Sequence, residues 1–136
     1  MSSRMLAFRL LPGDDLLECM KAKVREAGVQ SAALVTCVGS LYTCNVRLAA
    51  AEQCANWEEE LEIVSLVGTF SQDGAHVHIS VSDTEGAVKG GHLLAGSLVR
   101  TTAEIVICNL DEEYLFRRSF DPNSGWNELV VTKKSD

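Results

Sequence analysis

The sequence predicts an α+β domain: a mainly antiparallel β-sheet with one principal flanking helix. Apolar residues fall at helical spacing in one early segment only, and the later segments are short runs rich in β-branched and aromatic residues. The links between those runs are too short to hold crossover helices, so neighbouring strands must run antiparallel.

Residues Arg4 to Leu11 alternate loosely and carry bulky apolar side chains, which makes a first strand stopped by Pro12-Gly13. Leu16, Leu17, Met20 and Val24 then mark one face of a helix, with Asp14 as the expected N-cap. Gly28 is placed to end that helix in the left-handed conformation. The charges agree, since Asp14, Asp15 and Glu18 lie near the positive end of the dipole and Lys21, Lys23 and Arg25 near the negative end. From Ser31 onward the expected strands are Ala33 to Val38, Tyr42 to Leu48, Leu61 to Phe70, Ala75 to Ser82, Leu98 to Leu110 and Glu113 to Phe120. Turn signals separate them at Gly39-Ser40, Gln72-Asp73-Gly74, Asp83-Thr84-Glu85-Gly86 and Pro122-Asn123-Ser124-Gly125.

A chain of 136 residues buries about two-thirds of its unfolded surface in a single core. No linker, repeat or low-complexity tract divides it, so one domain over 1–136 is expected. No apolar run approaches the ~18 residues of a membrane span. The opening MSSRMLAFRLLPGDD turns acidic where a signal peptide would carry its apolar stretch, and a cytoplasmic location is expected. Five cysteines without CxxC spacing fit neither a disulfide framework nor a thiolate zinc site, and are read as mostly buried, reduced thiols. The net charge of −7 repels phosphate backbones and argues against nucleic acid as a partner. Arg117-Arg118 and Lys133-Lys134 read as solvated pairs. GxxxxGK[ST], GxGxxG and GxSxG are all absent from the sequence.

The chemistry concentrates on histidine. Ala75 to Ser82 alternates strictly, which sets Ala75, Val77, Ile79 and Val81 on one face and His76, His78, Ser80 and Ser82 on the other. Residues two apart in a strand are roughly 6.5–7 Å apart along the backbone, a span that two imidazoles can close around one ion with nitrogens at about 2.0–2.1 Å. His92, after Gly90-Gly91 on the returning strand, is the third and last histidine. It faces the same side only across an odd-numbered loop or a one-residue bulge, for which Gly90-Gly91 is a natural place. Three neutral imidazoles suit zinc or a similar divalent metal and leave a fourth position open. Glu62 and Glu104 interrupt apolar strands and are candidate catalytic acids, with a solvent-facing strand position as the alternative. Arg47 and Arg100 are candidate groups for an anionic ligand, against a salt-bridge reading.

Taken in order, three stretches cover nearly the whole chain: RLLPGDDLLECMKAKVREAGVQSAALVTCVGSL, LEIVSLVGTFSQDGAHVHISVSDTEGAVKGGHLLAG and AEIVICNLDEEYLFRRSFDPNSGWNELVV. Together they resemble the plant-and-prokaryote-conserved (PPC) domain family. That resemblance implies a mainly antiparallel sheet with a flanking helix, related to the fold of acetolactate decarboxylase, a three-histidine zinc enzyme, and assembly as a homotrimer. It also implies that the HxH and GGH elements, here His76, His78 and His92, are zinc ligands. Plant relatives join the domain to AT-hooks; this sequence has no Arg-Gly-Arg-Pro hook, so their DNA-binding role does not carry over.

Two functions of different class stay open. One is a zinc-binding homotrimer that takes a small-molecule ligand at the metal. The other is a metal-dependent lyase or hydrolase acting on a small carbonyl or carboxylate compound, with Glu62 or Glu104 carrying the proton. DNA binding ranks third. Self-association has a physical basis too: an antiparallel sheet this short leaves unpaired edges, and one helix cannot cover a chain with 46% hydrophobic residues.

Overall fold

The computed structural model describes residues 4–50 and 52–135. Its elements are β1 (Met5–Leu10), α1 (Leu16–Glu26), β2 (Ser31–Arg47), β3 (Cys54–Ser71), β4 (Gly74–Ser82), β5 (Val88–Leu93), β6 (Leu98–Asn109), β7 (Tyr114–Asp121) and β8 (Trp126–Lys133). The first six strands form one antiparallel sheet in the order β1-β6-β2-β3-β4-β5, and β7-β8 form a separate hairpin. Mainly antiparallel strands with one helix are the α+β class expected from the sequence. Among the described residues no helix is long and apolar enough to cross a membrane.

The helix is fixed at both ends by its own sequence. Asp15, in extended conformation, accepts a hydrogen bond from the Glu18 backbone and is the N-cap. Asp14 was the expected cap, but its carboxylate instead accepts from Leu11 N at 2.8 Å and closes the preceding turn. Gly28, at φ 71°, reverses the chain so that Val29 N bonds Val24 O, the glycine-terminated C-cap the sequence predicts. Leu16, Met20 and Val24 are buried against the sheet, each worth roughly 1.5–3 kcal/mol of burial.

Gly39-Ser40 is not a turn. Strand β2 runs unbroken through it, because Gly39 is where β6 crosses closest: a Cβ there would overlap the Thr102 carbonyl oxygen. Ser40 is buried, and its hydroxyl pairs with Thr101 Oγ1 at 2.7 Å. Register shifts between Leu34 and Thr36 and between Leu41 and Thr43 bend this long strand, as bulges do.

The bend lets the sheet close on itself. One edge of β2 pairs first with β6, from Ala32 to Thr43, and then with the end of β5 through Val46↔Leu93 and Arg47↔His92. Residues 94–97 fill the gap between those partners. Ser97 is fully buried and its hydroxyl accepts from Asn45 N, while Gly96 N donates to the Asp15 carboxylate that caps α1. The core packs on one face of this sheet, with Leu41, Val46, Phe70, Val77, Val81, Leu93, Val99 and Ile107 all at 2% exposure or less.

Strand β8 lies beyond the strands expected from the sequence. Its hairpin is docked by few groups: Phe116 is buried, Phe116 N donates to Ser31 Oγ, and Asp73 accepts from Arg117 (2.7 and 3.2 Å) and from Arg118 N (2.9 Å). Arg117 and Arg118 are therefore not the free solvated pair expected. The cysteines depart from expectation as well. All five are free thiols, but Cys44 alone is buried and Cys54 is exposed. Loss of water contact pushes the thiols of half-buried Cys37 and buried Cys44 up to about 12 and about 11.

Two outcomes follow from these contacts. Gly39→Ala should lower stability by about 2–3 kcal/mol, read as a fall in urea midpoint at constant slope; an unchanged midpoint would show that β6 gives way freely. The Arg117 side chain and the Arg118 N–H hold the Asp73 carboxyl below its ordinary value. Its contribution is thus full above the unfolded carboxylate value near ~3.9 and is lost as pH falls through the lower folded value. Hydrogen exchange should show the β7-β8 amides losing protection in acid before the six-stranded sheet, and losing it already at pH 7 in Asp73→Ala. Equal protection of both sheets in that variant would refute the role given to Asp73.

Candidate metal centre

His76 and His78 project from β4 on the face opposite Val77, Ile79 and Val81, which are 1%, 3% and 0% exposed. His92 enters from β5 in regular register, opposite His78, with no bulge at Gly90-Gly91. The five-residue loop of residues 83–87 between these strands supplies the odd number that the shared face requires. The glycines serve another purpose. A Cβ on Gly90 would overlap the Ile79 carbonyl oxygen, and one on Gly91 would lie 2.6 Å from the Arg47 carbonyl oxygen. They let β5 fit between β4 and β2.

The three rings converge. Their centroids are 4.8, 5.1 and 5.8 Å apart, the Nε2 atoms of His76 and His78 are separated by 3.1 Å, and one ligand atom from each histidine lies within 4.8 Å of the others. Nitrogens at about 2.0–2.1 Å from a tetrahedral zinc are about 3.3 Å from one another. The first pair already matches that spacing, and side-chain rotation of roughly 1.5 Å brings in the third. The donor set therefore fits a divalent ion of imidazole-binding type. At two of the three positions protons compete less than usual: burial, then neighbouring positive groups, lower the pKa of His76, and burial followed by the Arg47 charge brings His92 to about 4.

Open space borders the cluster on three sides, the smallest of about 300 Å³ over Val67, Gly68 and Thr69 of β3. A cleft of about 430 Å³ lies toward the hairpin, lined by Arg47, His76, His92, Arg118, Trp126 and Glu128 among others. Another, about 510 Å³, lies toward residues 48–50 and Gly90-Gly91. Arg47 stands between these two larger clefts, its Nη2 3.3 Å from His92 Nδ1 and its guanidinium carbon 5.1 Å from the Trp126 ring centroid. Of the other residues singled out by sequence, Glu62 is exposed and paired in register with Ser40 and Ser82, and Glu104 is exposed opposite Arg9 and Val38. Neither lines the clefts at the histidines. Arg100 is exposed and bonds Glu60 at 3.3 Å. The cleft-lining residues Trp126, Glu128 and Arg118 escaped sequence reading, because the hairpin that carries them has no pattern pointing to the histidines.

The same architecture recurs in solved proteins. A hypothetical protein from Salmonella cholerae-suis is 35% identical and superposes with a TM-score of 0.92 over 99% of this chain and 98% of that one. A metal-containing protein from Archaeoglobus fulgidus is 25% identical, with a TM-score of 0.83 over 96% and 95% of the two chains. Among curated proteins, the bifunctional protein GlmU of Synechococcus sp. (strain JA-3-3Ab) is 39% identical over 135 residues, which are 99% of this chain and 22% of that protein. The chain thus spans under a quarter of that relative. Residues 1–111 match the profile of the Plants and Prokaryotes Conserved (PCC) domain, and the chain belongs to that family.

Proposed function

We propose that the chain is a zinc-binding homotrimeric domain that holds one ion on His76, His78 and His92 and admits a small ligand at the position left open. The observation that carries this reading is the approach of one ligand nitrogen from each histidine to within 4.8 Å of the others. Imidazole donors favour zinc and its neighbours over magnesium or calcium, and the Archaeoglobus relative of the same fold is a metal-containing protein. Bound zinc would supply a Lewis acid able to polarise a carbonyl or to acidify a water.

The open clefts favour a second reading, a metal-dependent lyase or hydrolase acting on a small carbonyl or carboxylate compound. Its proton carrier would then be Glu128, which lines the cleft with His76 and His92, rather than Glu62 or Glu104. With a net charge of −7, duplex DNA is the weakest of the three readings.

Trimer formation has support in the exposed apolar residues. Val35 and Val38 on β2 and Val64 and Val67 on the adjacent β3 are each more than half exposed, and Phe120 on the hairpin is 63% exposed. Cyclic association would cover such a surface.

Purified protein should carry about one zinc per chain by elemental analysis, and joint replacement of His76, His78 and His92 by alanine should abolish it with the fold retained. Undiminished metal in that variant would sink the reading. Light scattering after size exclusion should give about three chain masses at micromolar concentration, shifted toward one by Val38→Glu with Val67→Glu; a single-chain mass for the parent would eliminate the assembly.

A further inference from the structure

Two guanidinium groups line the cleft between the histidines and the hairpin, and neither has a lone pair to offer an ion. Arg118 donates through Nη2 to Thr69 Oγ1 at 3.0 Å, and its backbone N–H is held by Asp73. Arg47 is placed differently, with Nη2 3.3 Å from His92 Nδ1. A guanidinium carries donors and no acceptor, so Nδ1 must meet it with a lone pair, and the neutral ring then keeps its proton on Nε2.

That arrangement is incompatible with ligation through His92. An ion on Nδ1 would take the lone pair that Arg47 uses. An ion on Nε2 would shift the ring proton to Nδ1 and set one N–H against another. Whichever nitrogen binds, Arg47 loses this partner.

We propose that metal loading at His92 releases Arg47, and that the freed guanidinium, together with Arg118 on the same cleft, binds the carboxylate of a small anion, so that metal and anion reinforce one another. This rests on the metal reading above and adds a ligand class to it. The planar fork of a guanidinium matches a carboxylate in two parallel hydrogen bonds. At about 430 Å³ the cleft has the size of a small-molecule site. Its charged lining comprises Arg47, Asp73, Arg118 and Glu128, and Asp73 is already engaged by Arg117 and by Arg118 N. A divalent ion on three neutral imidazoles therefore leaves the cleft with an excess of positive charge. Coupling of this kind is reciprocal: whatever factor the metal adds to anion affinity, the anion adds to metal affinity.

Trp126, against which Arg47 stacks, is a built-in reporter. The chain has two tryptophans, so Trp57→Phe leaves Trp126 as the sole indole. Zinc would be titrated into this protein by calorimetry and by fluorescence, with and without saturating acetate at constant ionic strength. The expected result is a change in Trp126 emission on zinc binding and zinc affinity raised on the order of fivefold by acetate. Arg47→Met should bind zinc at least as tightly as its parent and lose the acetate effect, while Arg118→Met should weaken the acetate effect and keep the emission change. Zinc binding with silent Trp126 emission and no acetate effect would overturn the release of Arg47 and leave the metal reading intact. Absence of zinc binding would overturn both. Loss of zinc in a folded Arg47→Met would mean that Arg47 supports the site instead of competing for it. Should that variant fold poorly, the emission and acetate readouts on the parent decide the matter.

Discussion

Closure of the sheet at β5 is the constraint on which the rest depends. The strand must pair with β4 along its length and with the end of β2 at Val46 and Arg47, and both approaches are possible only where Gly90 and Gly91 carry no side chain. His92 sits at that junction, opposite His78 on one side and Arg47 on the other. A slip of one residue in β5 would turn His92 toward the core and bring Leu93 out of it. The regular ladder thus aligns the histidines and also sets a cation beside them.

Floor and wall of the site are held by unlike forces. The floor is part of a six-stranded sheet whose opposite face is the core, so its geometry is backed by hydrophobic burial. The wall belongs to the β7-β8 hairpin, which adds Arg118, Trp126 and Glu128 and is fastened by Phe116, Ser31 and the Asp73 carboxylate. Apart from the buried Phe116 its attachment is polar and partly exposed, so the wall is the softer half.

Strict alternation from Ala75 to Ser82 made the two-histidine face legible, because a half-buried strand must segregate its side chains. Helix α1 was legible for the same reason, with periodicity and Gly28 agreeing; its cap was misplaced by one residue because Asp14 and Asp15 offer the same chemistry and only the turn geometry tells them apart. Gly39-Ser40 was misread for a deeper reason. Glycine marks both a turn and a close crossing of strands, and the crossing partner Thr102 is distant in sequence. Strand β8 was missed because nearly every residue from Trp126 to Lys133 is exposed, which leaves no alternation to read. Its absence hid the hairpin wall. For Glu62 and Glu104 the sequence left two readings open, and both side chains are exposed, the outward position of a strand buried on one side.

Because the histidines stand on the face of β4 turned away from the core, folding and ligation draw on separate sets of side chains. Substitution on the outer face can change or erase the chemistry without touching what makes the chain fold. A lineage can therefore recast the site while its scaffold persists, and likeness of backbone among relatives says little about likeness of activity. Whether a relative retains the trade must be judged residue by residue at positions 76, 78, 92 and 47.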